Sequence, residues 1–353
     1  MATALVALGS NLGDRKANLE HAVEKLGAHP SVQVIARSRP HLTKPIGGPS
    51  DQGEFINASV CVDTTLAPQQ LFELLHQIET ELGRQRRQRW AARLVDLDLL
   101  LYDNLVVKTP QLTVPHPRMA FRRFVLEPAA EAAPHLVHPQ IGWTIGQLLQ
   151  HLNTAIDYVA VTGLPGTGKS NLARRVADLN AGSFIADPHR PLAKDDARDL
   201  SARDRAMLER DLLRRRGELL RLDRWRAGCP LAVSDFWFDQ HLTYGQMNSK
   251  DAAWQSVAAE WRAWHDRIIR PKLLVMLVVP PDHSATEASP QPTSSLSEET
   301  KDGVACQKLQ SALYALFARR GQGPTLELDA TAPDWAFTEL SAAVEAMISS
   351  KGG

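Results

Sequence analysis

Gly163, Gly166, Gly168, Lys169 and Ser170 complete the spacing GxxxxGK[ST] directly after an apolar run, Tyr158 to Thr162, and just before a helical pattern that begins near Asn171. No other feature narrows the fold as much. The glycines let successive backbone N–H groups curl round phosphate oxygens at a helix N-terminus, the lysine reaches the β- and γ-phosphates, and the hydroxyl after it ligates magnesium. A strand, a tight loop and a helix in that order predict a P-loop NTPase built on a doubly wound parallel sheet. Its strands are expected at Tyr158 to Thr162, Gly182 to Ala186, Leu231 to Ser234 and Leu273 to Val279. Asp187 and Asp235 each follow such a strand, at the carboxyl edge where ligands bind in these sheets. Either could serve as a general base, a magnesium partner or a strand-end cap; Asp187 is assigned the catalytic role and Asp235 the metal. Residues 281–303 are rich in Pro, Ser, Thr and Glu without periodicity and are expected to form a surface loop.

The first half has a different rhythm. Ala4 to Leu8 reads as a strand, and Leu19, Ala22, Val23 and Leu26 then recur at helical spacing. Val32, Val34 and Ala36 alternate as in a half-buried strand, as does Phe55 to Val62; Leu71, Leu74, Leu75, Ile78 and Leu82 mark a second helix. In Val95 to Tyr102, Leu97, Leu99 and Leu101 take one side of a strand and Asp96 and Asp98 the other. The order β-α-β-β-α-β predicts a ferredoxin-like α+β sandwich. With the boundary set near 154, residues 1–154 and 155–353 form two domains, as a chain of 353 residues suggests.

Carboxylates at i and i+2 on a strand lie about 7 Å apart on one face, a spacing that lets both share metal ions. Asp96 and Asp98 are therefore a candidate magnesium pair. Arg84, Arg86, Arg87, Arg89 and Arg93 lie just upstream, and carboxylates beside dense guanidinium charge suit polyphosphate, where metal bridges phosphates and arginines offset developing charge. The whole chain balances 40 Lys plus Arg against 40 Asp plus Glu, so no global field holds it on nucleic acid or an anionic membrane. Three scattered cysteines, Cys61, Cys229 and Cys306, match neither a disulfide framework nor a zinc spacing. No apolar run reaches membrane-spanning length, and a cytoplasmic setting is expected.

LGSNLGDR at 8–15, FINA at 55–58, GRQRRQRWAARLVDLDLLLY at 83–102 and LTVPHPRMAFRRFVLEP at 112–128 resemble the signature blocks of 6-hydroxymethyl-7,8-dihydropterin pyrophosphokinase. That family moves a pyrophosphoryl group from ATP to a pterin alcohol in folate biosynthesis. The resemblance implies that Asp96 and Asp98 hold two magnesium ions on the ATP phosphates. It implies that Asn57 hydrogen-bonds the pterin edge, that Phe55 and Phe124 sandwich its ring, and that backbone around Thr43 to Ile46 completes the pocket. Arg84, Arg93, His116 and Arg122 match ATP-contacting positions, and Trp90 lies on the loop that closes over the site. Where the family has a Gly-Pro turn after the tryptophan and a threonine after the next arginine, this chain has Ala91, Ala92 and Leu94.

The second half resembles the deoxynucleoside kinase branch of P-loop kinases through GLPGTGKS, the acid after the second strand and SDFWFD at 234–239. The helix ERDLLRRRGELLRLDRW, residues 209–225, matches one that borders the nucleoside there. The chain departs from that branch in having no arginine from Pro271 to Gly303, where the branch has an arginine-rich lid, and Phe236 in place of an arginine after the strand-end acid. Arginines between Arg203 and Arg226 either substitute or form a solvated face. The expected ligands are hydroxymethyldihydropterin, ATP, magnesium and a deoxynucleoside, with a homodimer through the C-terminal domain left open. A degenerate nucleotide-binding or dimerisation module is the alternative for that half.

Overall fold

The computed structural model describes residues 1–47, 52–83, 94–189, 201–225, 229–243, 252–280 and 303–348. Two compact units emerge: Met1–Asn153 together with Ala342–Ile348, and Thr154–Ser341.

In the first unit β1 (Ala2–Ser10), β2 (Val32–Arg37), β3 (His41–Thr43), β4 (Phe55–Thr64) and β5 (Asp96–Tyr102) make an antiparallel sheet. Its order is β2-β4-β1-β5, with β3 pairing the early part of β4. Period-two alternation sends Ala4, Val6 and Leu8 of β1, Val60 and Val62 of β4, and Leu97 and Leu99 of β5 to one face. There they pack with Leu19, Ala22 and Leu26 of α1 (Arg15–Ala28) and Leu71, Leu75 and Ile78 of α2 (Pro68–Glu81). The Asp14 carboxylate accepts from the Ala17 N–H at 3.1 Å and starts α1. Pro68 opens α2, where Gln70 Oε1 accepts from the Ala67 N–H at 2.9 Å. The strand face that carries Asn57, Asp96 and Asp98 is thereby turned away from these helices. Against β4 and β1 lies α3 (Arg123–Ala132), preceded by the short strands β6 (Val107–Lys108) and β7 (Thr113–Val114) and the cis Val114–Pro115 bond. Helix α4 (Ile145–Thr154) follows.

The second unit is built on β8 (Tyr158–Gly163), β9 (Ser183–Ile185), β10 (Ala232–Ser234), β11 (Leu273–Val278) and β12 (Thr325–Asp329), in the order β12-β11-β8-β10-β9 with every neighbouring pair parallel. Tyr158 to Thr162 and Leu273 to Leu277 are buried throughout, as strands covered on both faces must be. The helices are α5 (Lys169–Leu179), α6 (Ala202–Leu219), α7 (Ala252–His265), α8 (Gly303–Phe317) and α9 (Pro333–Ile348), of which the residues up to Ser341 belong to this unit.

Four of the five strands fall where the apolar runs place them. β12 was not expected: its short, alternating sequence, only partly buried, lacks the continuous apolar signal of β8 and β11. The helix expected over 209–225 instead spans Ala202–Leu219, because Arg221 leaves it to bridge Ile268. Gly303 belongs to α8 rather than to a loop, and residues 281–302 lie outside the described residues. The three cysteines form no disulfide, and burial pushes the Cys61 thiol up to about 11. Among the described residues no helix is long and apolar enough to cross a membrane.

Candidate functional sites

In the first unit the antiparallel register aligns Asn57 of β4, Gly9 of β1 and Asp96 of β5 in one row across three strands. Two residues along, Ser59, Ala7 and Asp98 form the next row on the same face. The floor between the amide and the carboxylates is thus made of residues with almost no side chain. A Cβ placed on Gly9 would come within 3.2 Å of Asn57 Oδ1, so glycine there keeps the trough open. Asn57 is nearly buried, and its Nδ2 donates to Thr43 Oγ1 at 2.7 Å; that bond leaves the amide oxygen facing the trough as an acceptor.

Asp96 and Asp98 are half-buried on the edge strand. That edge is held from outside: the Leu97 N–H, between the two aspartates, donates to Glu79 Oε1 at 2.8 Å, and the Leu100 carbonyl accepts from the His116 N–H at 2.9 Å. Glu79 is 1% exposed, and its other carboxylate oxygen meets His76 Nδ1 at 2.7 Å. Gly9 and Glu79 are not among the candidate site residues that the sequence marks. Glycine in a strand is a recognisable sign of close approach, whereas a glutamate in α2 gives no hint that it will be buried.

His116 carries a strongly depressed pKa, pushed down to about 3 by burial first and then by the Arg122 and Arg118 charges; Asp96 acts in the opposite direction. Its Nδ1 accepts from the Arg118 N–H at 3.3 Å, so the proton of the neutral ring sits on Nε2. Arg122 lies over the Phe124 ring at 5.6 Å from its centre. Phe55 opens β4, paired with Thr43, and Phe124 lies in the first turn of α3; both are half-exposed, as is Ile46. Arg84, Trp90 and Arg93 lie outside the described residues.

Magnesium takes hard oxygen ligands and commonly uses one or two carboxylates, leaving its other positions to water and phosphate oxygens. Asp96 and Asp98 fit that demand. Among the described residues no cluster of three or more His, Cys, Asp or Glu suited to a metal occurs, so the pair offers a two-carboxylate arrangement rather than an all-protein cage.

In the second unit the loop from Gly163 to Gly168 joins β8 to α5. Gly163, Gly166 and Gly168 all have positive φ. A Cβ on Gly163 would meet the Leu277 carbonyl oxygen at 2.6 Å, so glycine is required there for strand packing. At Gly166 and Gly168 a Cβ would meet nothing within 4 Å, and the space above the loop is open. Lys169 folds back, its Nζ donating to the Leu164 carbonyl at 2.7 Å, and burial lowers its pKa to about 8 against the opposing pull of Asp235 and Asp187.

Ser170 Oγ donates to Asp235 Oδ2 at 2.5 Å. The Asp187 N–H donates to Asp235 Oδ1 at 2.6 Å. Ser170, Asp235 and Asp187, each picked from sequence, therefore meet at one strand edge. Asp187 is in turn gripped by Arg216 of α6: Nε donates to Oδ1 at 2.9 Å and Nη2 to Oδ2. Arg216 is 3% exposed, which corrects the solvated-face reading for this one arginine of the basic helix. Nothing in RRR, where Arg214 and Arg215 face outward, marks the third as the buried one.

Residues 5–134 match the family model of 7,8-dihydro-6-hydroxymethylpterin-pyrophosphokinase (HPPK). The 2-amino-4-hydroxy-6-hydroxymethyldihydropteridine pyrophosphokinase of Methylorubrum extorquens is 46% identical over 137 residues, 39% of this chain and 86% of that protein. The Bacillus subtilis protein of the same name is 49% identical over 128 residues, 36% of this chain and 76% of that protein. A solved deoxyadenosine kinase from M. mycoides aligns with 52% of this chain and 95% of its own at 14% identity and a TM-score of 0.39, too low a likeness to bear on the second unit. The matched stretch holds the whole Asn57–Gly9–Asp96 row, and through it the chain belongs to the 7,8-dihydro-6-hydroxymethylpterin-pyrophosphokinase family.

Proposed function

We propose that the N-terminal unit transfers pyrophosphate from ATP to 6-hydroxymethyl-7,8-dihydropterin, a step of folate biosynthesis, on a ferredoxin-like sandwich. The observation that carries this reading is the open row in which a fixed amide acceptor faces a pair of half-buried carboxylates across a glycine floor. Asn57 Oδ1 accepts an N–H from the pterin edge, while Phe55 and Phe124 offer apolar faces to its ring. Asp96 and Asp98 would hold two magnesium ions, which when bound polarise the β-phosphoryl group and offset phosphate charge. The hydroxymethyl oxygen bonds to the β-phosphorus, the α,β-bridging bond breaks, AMP leaves, and the hydroxyl proton passes to water. His116, neutral with its Nε2 proton, and Arg122 serve ATP as hydrogen-bond donors, with Arg84 and Arg93 assigned the same task and Trp90 to closure. Purified protein given the pterin, ATP and magnesium should release AMP; conversion of ATP to ADP alone overturns the assignment.

For the C-terminal unit we infer a P-loop domain, residues 155–353 following the pyrophosphokinase domain at 1–154, that phosphorylates a deoxynucleoside. Supporting it are the open space over Gly166 and Gly168 and the hydrogen bond that joins Ser170 to Asp235, the arrangement a magnesium-ligating hydroxyl and its acid take beside a phosphate loop. Asp187 is the candidate general base. The competing reading, a nucleotide-binding or dimerisation module without chemistry, draws on the absence of arginine from Pro271 to Gly303. A panel of nucleosides separates the two, since Lys169-dependent turnover of any of them rejects the inert module.

A further inference from the structure

Arg216 lies at the centre of a chain of hydrogen bonds whose direction is fixed. A guanidinium can only donate, so at 2.6 Å its Nη1 makes His241 Nε2 the acceptor. The ring proton must then be on Nδ1, which donates to Glu209 Oε2 at 2.8 Å. Arg216 and His241 are 3% and 2% exposed, whereas Glu209 and Asp187 at the two ends keep about a quarter of their side chains exposed. A buried guanidinium is tolerated only when fully paired, and here every pairing also restricts where Asp187 can be. The ring of Phe236 closes the remaining side, 5.1 Å from the guanidinium carbon. Gly217, beside Arg216, lets Trp264 of α7 come so close that a Cβ would meet it at 2.5 Å, which pins the helix that delivers the arginine.

We propose that Arg216, backed by His241 and Glu209, is a positioning residue that turns the Asp187 carboxylate toward the phosphate loop to receive the hydroxyl of an uncharged acceptor, not a phosphate monoester. The proposal rests on the kinase reading of the C-terminal unit. Arg216 occupies one site on each Asp187 oxygen, and Oδ1 also accepts from the His189 N–H at 3.2 Å. The second lone pair of Oδ2 is left to accept from an O–H group. A phosphate acceptor would instead bring negative charge against Asp187 and Asp235, while the buried guanidinium of Arg216 is committed to Asp187. In the step itself the acceptor oxygen bonds to the γ-phosphorus of ATP, the β,γ-bridging bond breaks, ADP leaves, and the hydroxyl proton passes to Asp187 and then to water.

The test uses the full chain with γ-labelled ATP and magnesium, no pterin, and two sets of acceptors: the four deoxynucleosides and their 5′-monophosphates. Label should enter the nucleosides and not the monophosphates. Arg216→Met should lower kcat roughly 100-fold with KM for ATP nearly constant, the scale expected when a reacting group shifts by an ångström. Arg216→Lys should restore part of that loss. His241→Asn, which keeps the Arg216–Asp187 pair, should cost about 10-fold in kcat and guards against a misfolded methionine variant. Turnover of the nucleosides indifferent to both Arg216→Lys and His241→Asn overturns the inference and leaves the kinase reading standing, whereas label in the monophosphates alone overturns both. No label in any acceptor removes the kinase reading, and the inference with it.

Discussion

Two aspartates at 96 and 98 could equally have faced water; their meaning comes from what stands beside them. Asn57 and Gly9 complete a row that no local pattern announces, because the three residues are brought together only by strand pairing across 87 positions of chain. Replacing Asp96 or Asp98 with asparagine keeps the shape of the trough and removes one charge. AMP formation should fall by at least about 100-fold, on the scale of losing one electrostatic contact to a transferring group, with the thermal midpoint nearly unmoved. Asn57→Ala should raise KM for the pterin by ~10- to 100-fold, the equivalent of one unmade buried hydrogen bond. The histidines make a pH prediction. Burial holds His116 near 3 and His138 near 4, below the ordinary 6.5 of an unfolded chain. The unfolded state therefore binds more protons below pH 6.5, and folding stability falls with pH through that window. At pH 5 the buried His138 alone should cost about 2 kcal/mol relative to pH 7, and His138→Gln should flatten the acid limb of a denaturation series.

Elements carry the site by fixing edges. Among the described residues β5 has a sheet neighbour on one side only, and Glu79 of α2 supplies a partner for the Leu97 N–H between the aspartates. Glu79→Ala should destabilise the protein by about 1 to 3 kcal/mol, the cost of leaving a buried N–H unpaired, and lower kcat for AMP formation more than it raises KM. Urea melts and steady-state kinetics on one preparation would check both. The helices were legible from spacing: Leu71, Leu75 and Ile78 of α2 all end in the core as their period requires. Their polar residues were not, because Glu79 and Arg216 look like any solvated helix charge until the packing of a neighbouring element buries them. The glycine loop stands at the other extreme. Gly163→Ala should disrupt the second unit, since its added carbon would collide with the Leu277 carbonyl, and a drop in the calorimetric midpoint would show it.

The whole chain carries two candidate sites of different design, one on the face of an antiparallel sheet and one at the edge of a parallel sheet. They should answer separately to substitution. Lys169→Ala is expected to abolish ADP-forming turnover of nucleosides while AMP formation from the pterin continues, as chromatography of the nucleotide products would reveal. What the sequence determined by itself was local and periodic: the alternation that puts Leu97 and Leu99 opposite Asp96 and Asp98, and the glycine spacing that sets a tight loop of positive-φ residues between a strand and a helix. Both are set by the backbone's own repeat and by the conformational freedom of glycine, so a few consecutive residues suffice to express them. Only the tertiary structure decided that Gly9 leaves a gap beside Asn57, that Glu79 holds the aspartate strand, and that Arg216, alone among its neighbours, turns inward to Asp187. These depend on contacts between distant segments, where burial, not residue type, decides whether a charge is solvated or committed to a partner.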